Sequence, residues 1–480
     1  MTKTFAVALW LAWAVPGCMV HDANTNPESP VKPPEQYASP DNAGPRPTAA
    51  REPGAGAWWN DFGDPELARL VDRALEGSLE FRQTWARLEQ AEALARQSGA
   101  RLHPNVNAEL SAGRSRRVVA LGSGPSMPVT SNNFSASVPV SYEVDLWGNL
   151  RSAARAAAFD AFASRDEVEA AAMTLAANVA ESWFDILKQR ARKKLLREQL
   201  LTNEAFLELV MLRFGQGQAS GTEELQQRQE VQAARAQLAR VEAQEAVTTQ
   251  RLSVLVGRLP SSLVTASADQ LPVLPTLPAQ GVPSDLLRRR PDVRAAQRRV
   301  VAADYRIGEA IAKRYPSLTL SASVGYSSPS LSELLDSFVW SVMGSISQSL
   351  WDGGRRSAEV DRTRAVLEER LLGYGHTLLT AMLEVESSLV QEQQQLENIR
   401  ELEQQVQTSA QALDIARMRY QQGLTDFLPV LTSLRSMHLA QQSLVDSKRQ
   451  LLSHRIQLCR ALGGTWTNQL EKPAKEGEGS

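Results

Sequence analysis

The sequence predicts a mainly helical protein that also contributes transmembrane β-strands to a barrel. Two kinds of segment lead to this prediction. Long stretches without glycine or proline, dense in alanine, leucine, glutamate, glutamine and arginine, are typical of helices far longer than the usual globular helix. Shorter segments alternate apolar and small polar residues with a period of two, as a strand with two different faces does. Both kinds of segment occur in two matching halves of the 480 residues, which indicates a tandem duplication.

The N-terminus predicts export. Residues 1–17 carry an early basic residue, Lys3, and an apolar stretch too short to span a bilayer, so they are interpreted as a signal peptide. The sequence Val-Pro-Gly-Cys that ends at Cys18 resembles the lipobox of bacterial lipoproteins and predicts acylation of Cys18, although Pro16 departs from that pattern. An ordinary cleavage site is the alternative. Residues 18–57 are rich in proline and are predicted to be an extended, lipidated tether.

Two copies of one pattern follow the tether: helix, β-hairpin, long helix, turn and long helix. The sequence after the first hairpin, Leu146-Trp147-Gly148, matches Leu350-Trp351-Asp352 after the second. The turn at 213–217 matches the turn at 419–423. The predicted division is a first repeat at 58–257 with its hairpin at about 105–145, a linker at 258–283, a second repeat at 284–466 with its hairpin at about 317–350, and a flexible tail at 467–480.

The helices and strands within each copy have different periods. Amphipathic helices that pack side by side are predicted at 149–214, 222–256, 376–422 and 430–462. Strands are predicted at 106–113, 134–144, 318–326 and 338–350, near the length of a tilted transmembrane strand. A soluble sheet with one solvated face would alternate in the same way. In lipid, unpaired strand edges are costly, so the strands predict an oligomer of two, three or four copies with eight, twelve or sixteen strands.

Several motifs resemble one known family, the TolC-like outer-membrane factors, and within it the OprM/NodT-like lipoprotein branch. The matching stretches are LLRRRPDVRAA at 286–296, YPSL at 315–318, SYEVDLWG at 141–148, RALGGTW at 460–466 and the tryptophan pair at 58–59. The resemblance implies a homotrimer with a twelve-stranded β-barrel in the outer membrane, continuing into a long α-helical barrel in the periplasm. It also implies an anchor in outer-membrane lipid at Cys18.

The resemblance implies a passive exit duct of a tripartite efflux or secretion system. Its partners would be a periplasmic adaptor, of the membrane fusion protein type, and an inner-membrane transporter, of the resistance-nodulation-division type. Small molecules such as drugs would pass through it. Matched turn by turn, the family pattern places a periplasmic aperture at Thr222, Glu223 and Tyr420, with Asp426 as the nearest carboxylate in the second copy. A ring of these groups would close the helix tips.

This chain departs from the family pattern at the aperture. Pro429 and Thr432 stand where acidic residues are common, and Thr425 stands where an arginine is. The expectation is therefore a closed tip held by Glu223 and Asp426 with weaker ionic contacts. The alternative is that both acids merely cap the starts of helices.

Other classes of function have less support. With 52 basic and 54 acidic side chains, the net charge gives no reason to expect a nucleic-acid partner. No cofactor is predicted, because the five histidines are scattered without metal-ligand spacing, and no catalytic constellation indicates an enzyme such as a secreted hydrolase. Arg288, Arg289 and Arg290 are interpreted as a solvated helix start. The main alternative is a periplasmic coiled-coil adaptor or scaffold lipoprotein without a pore, which would leave the alternating strands unexplained.

Overall fold

The long helices and the two hairpins are present in the computed structural model, which describes residues 19–37, 56–119, 127–260, 270–278, 283–464 and 466–473. The predicted signal peptide, Cys18, residues 38–55 of the tether and residues 474–480 of the tail lie outside the described residues. The elements are α1 (Pro65–Gly77), α2 (Leu79–Ala100), β1 (Asn105–Val106), β2 (Glu109–Val119), β3 (Met127–Val144), α3 (Asn149–Gly215), α4 (Gly221–Leu255), α5 (Leu286–Arg289), α6 (Pro291–Ala312), β4 (Ser317–Ser328), β5 (Phe338–Ser347), α7 (Arg355–Gln421) and α8 (Leu428–Leu462). Short 3-10 turns lie at Trp58–Phe62, Pro283–Asp285, Leu331–Asp336 and Trp466–Gln469.

The two copies have helices of equal length. The helices that directly follow the hairpins, α3 and α7, each have 67 residues. The helices after the turns, α4 and α8, each have 35. At a rise of 1.5 Å per residue the longer pair spans roughly 100 Å. The prediction for α7 was wrong at its N-terminal end, because the helix begins at Arg355 rather than at 376. It runs through both Gly373 and Gly375, because a glycine inside a helix costs only about 1 kcal/mol.

The chain divides into two compact units, and the first holds the strands. It comprises residues 1–30, 87–165 and 295–375. Its sheet is antiparallel, with β3 between β2 and β4, and with β5 on the far side of β4. β2 and β3 are longer than predicted and extend beyond the end of β4. Among the described strands, β2 and β5 each keep one edge without a partner, as the sequence led us to expect of a sheet completed by other copies.

The two faces of this sheet differ in polarity. Partners in register share a face, and one face carries Phe134, Ala136, Val138, Val140, Tyr142 and Val144 of β3 with Leu318, Leu320, Ala322, Val324 and Tyr326 of β4. The other face is rich in serine. There the hydroxyl oxygens of Ser111 and Ser135 lie 2.7 Å apart, and those of Ser115 and Ser131 lie 3.1 Å apart. This arrangement suits a sheet with lipid on one face and water on the other.

Aromatic and capping contacts join the sheet to the helices within the first unit. The Trp147 ring stacks on Tyr315 with 5.0 Å between centroids, and its Nε1–H donates to the Pro316 carbonyl over 2.7 Å. The Asp145 carboxylate accepts hydrogen bonds from the first backbone amides of α3, at Leu150 and Arg151. These contacts explain why the SYEVDLWG and YPSL motifs occur at the strand ends.

The described start of the predicted tether lies against the first unit. Residues 19–37 form neither helix nor strand. The Val20 amide donates to the Trp147 carbonyl over 3.4 Å. His21 Nε2 lies 2.8 Å from an Asp304 carboxylate oxygen, and the Asn24 amide donates to the other Asp304 oxygen over 2.7 Å. The extended backbone agrees with the proline content, and these hydrogen bonds add an anchorage that the composition did not predict.

The second unit comprises residues 31–86, 166–294 and 376–480 and contains a large aromatic core. Trp183 and Phe184 of α3 are fully buried there. Trp183 Nε1–H donates to Asp64 over 2.7 Å, while the same carboxylate caps α1 at the Glu66 and Leu67 amides. Phe62 packs on Phe184 at 5.1 Å. The core therefore explains the aromatic and acidic residues that begin the first repeat.

The arginine run at the start of α6 is only partly solvated. Arg288 is exposed, as expected, but Arg290 is buried, so the interpretation of the whole run as solvated was wrong. Its guanidinium lies 2.7 Å from Asp292 and 2.6 Å from Glu384, and it donates to the Ala461 carbonyl over 3.2 Å. A buried charge requires such partners, and here they tie the start of α6 to α7 and α8.

Candidate functional site

Two helix-to-helix turns in the second unit form the candidate site. α3 is joined to α4, and α7 to α8, by short turns with the same geometry. Gly217 and Gly423 adopt left-handed φ angles of 73° and 72°. The amide after each glycine donates to a carbonyl five residues earlier, Gln218 to Arg213 over 2.8 Å and Leu424 to Arg419 over 2.9 Å. Both turns thus end a helix by the Schellman pattern, which needs glycine at the left-handed position.

An apolar cluster fixes the position of the two turns. The cluster combines residues of α3, α7 and α8: Phe206, Val210, Leu413, Tyr420, Phe427, Val430, Leu431 and Leu434. The Tyr420 and Phe427 rings lie 5.3 Å apart between centroids. Tyr420 is only 2% exposed and Phe427 is fully buried. The turn of the second copy is therefore packed against this apolar cluster and is not surrounded by solvent.

Tyr420, Glu223 and Arg213 form a polar contact above this cluster. The Tyr420 hydroxyl donates to a Glu223 carboxylate oxygen over 3.1 Å. The Arg213 guanidinium lies over the Tyr420 ring, 4.3 Å from its centroid, and donates to the Tyr420 carbonyl over 2.5 Å. Burial, then the charge and hydrogen bond of Glu223, raise the pKa of Tyr420 to about 12, against the opposing influence of Arg213. Tyr420 therefore stays neutral at physiological pH and joins the two turns of one protomer.

The structure brings together two of the four predicted aperture residues. Glu223 and Tyr420 are in contact, as described above. Thr222 and Asp426 are exposed, and within the described part of the chain neither has a hydrogen bond or ion pair. The Glu223 amide donates to the Ser220 hydroxyl oxygen over 3.3 Å, so Ser220 rather than an acid caps α4. The Thr425 hydroxyl, at the position of the family's arginine, is buried without a partner among the described residues.

Sequence reasoning missed Arg213 as a site residue. Arg213 was used only to match the turn at 213–217 with the turn at 419–423, and this match is correct because Arg419 occupies the equivalent position. The signal that could have identified it is the pairing of an arginine in one turn with a tyrosine at the equivalent turn, because the two turns of a duplicated hairpin lie side by side. Only the packing shows that Arg213 covers the Tyr420 ring.

Ion pairs join the helices that lead to the turns. The Glu245 carboxylate of α4 forms ion pairs with two residues of α3, Arg190 at 3.1 Å and Lys193. Burial would raise the pKa of Glu245, but the hydrogen bonds from Lys193 and Arg190 outweigh it and hold the pKa below its usual value. Arg435 of α8 bonds Glu230 of α4 over 2.9 Å. These bonds fix the register of α3, α4 and α8 against one another.

Two kinds of feature are absent from the described residues. Within them, no group of three or more histidine, cysteine, aspartate or glutamate side chains is arranged to hold a metal ion. None of the helices that the structure describes combines the length and the hydropathy that a bilayer span requires.

The chain is similar to known proteins over most of its length. The chain matches the family model for outer membrane efflux proteins over residues 70–258 and 282–464. It is 33% identical over 427 residues to the pyoverdine export outer membrane protein OpmQ of Pseudomonas aeruginosa, covering 87% of this chain and 89% of that one. It is 30% identical over 481 residues to the toluene efflux pump outer membrane protein TtgF of Pseudomonas putida, covering 98% and 99%. The solved outer-membrane channel OprN superposes with a TM-score of 0.84 at 26% identity, covering 92% of this chain and 100% of that one.

Proposed function

Because the chain belongs to the outer membrane efflux protein family, as its motifs predicted, we propose that it conducts small molecules out of the cell through a pore shared by three copies. The protein is an outer membrane efflux channel and not an enzyme. Its partners are the adaptor and the inner-membrane pump of an efflux system. We propose a pump of the resistance-nodulation-division type, which would supply the energy and select the exported compound.

The sheet is the observation that carries this proposal, because β1 and β2 follow one another along the same edge of β3 and each copy thus supplies four strand positions. The edges of β2 and β5 need partners in lipid, and pairing with other copies supplies them without a free edge. Three copies give a twelve-stranded barrel, wide enough to hold water, whereas two give eight strands that side chains would fill. The proposed repeats at 58–257 and 284–466, separated by the linker at 258–283, each supply one hairpin.

The test is reconstitution of the purified chain in planar lipid bilayers, beside fractionation of cells. A heat-modifiable oligomer in the outer membrane that gives single-channel currents supports the duct. A periplasmic adaptor or scaffold lipoprotein without a pore would give no current and no heat-modifiable oligomer, even if its lipid keeps it on the membrane. Crosslinking with the wild-type oligomer as reference then counts the copies, and any number other than three defeats the trimer.

We also propose that Cys18 carries lipid. The residues that follow Cys18 support this anchor, because Val20 and His21 form hydrogen bonds with the first unit. The partner of Val20 is Trp147, which lies where the strands end and whose aromatic ring suits the membrane interface. A lipid at Cys18 would therefore enter the inner leaflet beside the barrel. Cys18→Ser should abolish incorporation of labelled palmitate while Cys459→Ser should not. Continued labelling of the Cys18 variant would rule the anchor out.

We propose that the two turns close the periplasmic end of the duct. Glu223, held by Tyr420, and the exposed groups Thr222 and Asp426 would face the axis in three-fold rings, so that their charges and side chains narrow the pore. Removing both charges, in Glu223→Gln/Asp426→Asn, should raise the single-channel conductance. Glu224→Gln is the matched control, since Glu224 already pairs with Arg228 on its own helix. Equal conductance in all three proteins would show that the aperture lies elsewhere.

A further inference from the structure

Two arginines lie on the apolar face of the sheet, at the end of the first hairpin away from the helices. The register pairs Arg114 with Asn132 and Arg116 with Thr130. Two residues nearer the helices, Ala112 pairs with Phe134, which begins the apolar face of β3. Because alternate residues of a strand share a face, both arginines continue this apolar face outward.

We propose that Arg114 and Arg116 bind the phosphate groups of lipid headgroups in the outer leaflet of the membrane. The inference rests on the proposed insertion of the sheet into a barrel, with the helices on the periplasmic side. The ends of β2 and β3 that lie away from the helices, at Val119 and Met127, are then on the outer side. Nothing in the aperture or in the anchor at Cys18 involves these residues.

The heights along the strand place Arg114 at the headgroups. From Phe134 to Val144 the apolar face of β3 spans ten residue steps, or roughly 34 Å along the strand and about 26 Å along the membrane normal at a tilt of about 40°. That matches the apolar band of about 25 Å of an outer-membrane barrel. Arg114 then lies about 5 Å above the band and Arg116 about 10 Å above it. The headgroup region is only about 5 to 7 Å deep on each side, so both long side chains can reach it.

Aromatic side chains mark the same boundary. On the apolar face Tyr326 pairs with Phe338, with 5.8 Å between ring centroids, and Phe134 lies in the next row outward. Aromatic residues gather at the edge of the hydrocarbon layer, where their rings suit the interface. Arg114 is therefore one row beyond the aromatic residues, at the level where anionic headgroups begin.

The charges at this end of the hairpin have no partner within the hairpin. Between Glu109 and Glu143 the sequence contains no aspartate or glutamate. Neither Arg114 nor Arg116 forms an ion pair with any carboxylate among the described residues. Guanidinium groups bind phosphate oxygens through two parallel hydrogen bonds, which makes a phosphorylated headgroup the complementary ligand. The second hairpin differs, because its end carries Glu333 and Asp336.

The same strand supplies a matched control. Arg117 pairs with Val129 and lies on the opposite face, with Ser115 and Ser131, so it points into the proposed lumen. It has the same charge and nearly the same height as Arg116. A general attraction between a basic hairpin and an anionic lipid would depend on all three arginines, whereas the proposed site depends on Arg114 and Arg116 alone.

The test is a titration of the detergent-purified channel with lipid A, followed by native mass spectrometry, using the phosphorylated lipid and the same lipid after dephosphorylation. We expect the wild type and Arg117→Ala to prefer the phosphorylated form. Arg114→Ala/Arg116→Ala should weaken its binding on the order of 30-fold, from the usual contribution of two basic groups near an anionic surface. Binding of the dephosphorylated lipid should be nearly the same for all three proteins.

Three results would overturn the inference. One is equal binding of phosphorylated lipid by the double variant and the wild type, and another is an equal loss in Arg117→Ala. The third is a lower dissociation temperature of the double variant's oligomer with unchanged lipid binding, which would mean that the arginines pair with acids of a neighbouring copy. Single-channel currents, recorded on the same samples, separate these results from a failure of the duct itself, because a missing lipid site leaves the current intact.

Discussion

Replacing Arg455 with methionine should open the contact between α7 and α8 in the second unit. The Arg455 guanidinium donates to both carboxylate oxygens of Glu392, over 2.8 Å from Nε, and also to the carbonyls of Pro275 and Thr276 in the linker. The side chains of Arg455 and Glu392 are only 3% and 6% exposed. Methionine fills much of the space but leaves Glu392 as a buried charge without a cation.

The expected cost follows from the burial. Removing one partner of a buried ion pair costs about 3 to 5 kcal/mol, which raises the population of the open state on the order of 100- to 4,000-fold. An exposed pair between the same two helices gives the control. Lys448 and Glu403 lie 2.9 Å apart with side chains 48% and 52% exposed, and such pairs contribute less than about 1 kcal/mol. Lys448→Met should change the open population by less than about fivefold.

The thiol of Cys459, one turn beyond Arg455 on α8, reports the opening. Burial raises the pKa of Cys459 to about 12. A free thiol has a pKa of about 8.5, so at pH 7.5 the native protein holds far less thiolate than the open form. In a Cys18→Ser background Cys459 is the remaining cysteine of the two in the chain. Its rate of maleimide labelling should therefore follow the open population.

A comparison of labelling rates among the variants tests whether this ion pair holds α7 and α8 together. Arg455→Met should label far faster than Lys448→Met, and Arg455→Met/Glu392→Leu should return toward the wild-type rate because no charge is left buried. If Arg455→Met labelled no faster than Lys448→Met, the ion pair would not hold the two helices together and the reasoning from burial would be refuted.

Three further outcomes test other contacts. His438 is buried, and burial lowers its pKa to about 4. Its contribution to the stability of the folded chain should therefore be full above pH 6.5 and fall between pH 6.5 and 4. The denaturation midpoints of His438→Gln should lack this decline. Gly257→Ala should cost more than about 2 kcal/mol in a denaturation curve, since φ is +76° and a Cβ would lie 2.1 Å from the Gly77 carbonyl oxygen; a normal midpoint would contradict this. Tyr420→Phe keeps the ring but loses the bond to Glu223, so the open probability of the channel should rise roughly tenfold, and an unchanged value would exclude this bond from the closed state.

Local patterns along the chain were enough to predict the elements. Because residues 149–214 include neither glycine nor proline, the predicted and observed ends of α3 agree within one residue. The rule failed for α7, where Gly373 and Gly375 both lie inside the helix at a cost of about 1 kcal/mol each. The strand alternation predicted the faces correctly, but the ends of β2 and β3 were missed, because beyond Phe134 neighbouring residues such as Asn132 and Asn133 or Arg116 and Arg117 have the same polarity.

Side-chain partners were harder to predict than elements. The resemblance indicated Glu223 and Tyr420, and the fold places them in contact. Arg213 was not recognised, because its role depends on a ring that lies in the other copy. Arg290 was interpreted as solvated because a charge run usually is, yet it is buried against Glu384 of α7 and the C-terminal end of α8.

The sequence by itself determined the duplicated order of helices and hairpins, the two faces of the strands and the family, since periodicity and motifs are local properties of the chain. The tertiary structure decided which distant groups meet. Tyr420 bonds Glu223, Arg455 bonds Glu392, and the register of β2 on β3 puts Arg114 beyond the apolar band. The physical reason is that a hydrogen bond or ion pair depends on distances of a few ångströms between residues far apart in sequence, and only packing fixes those distances.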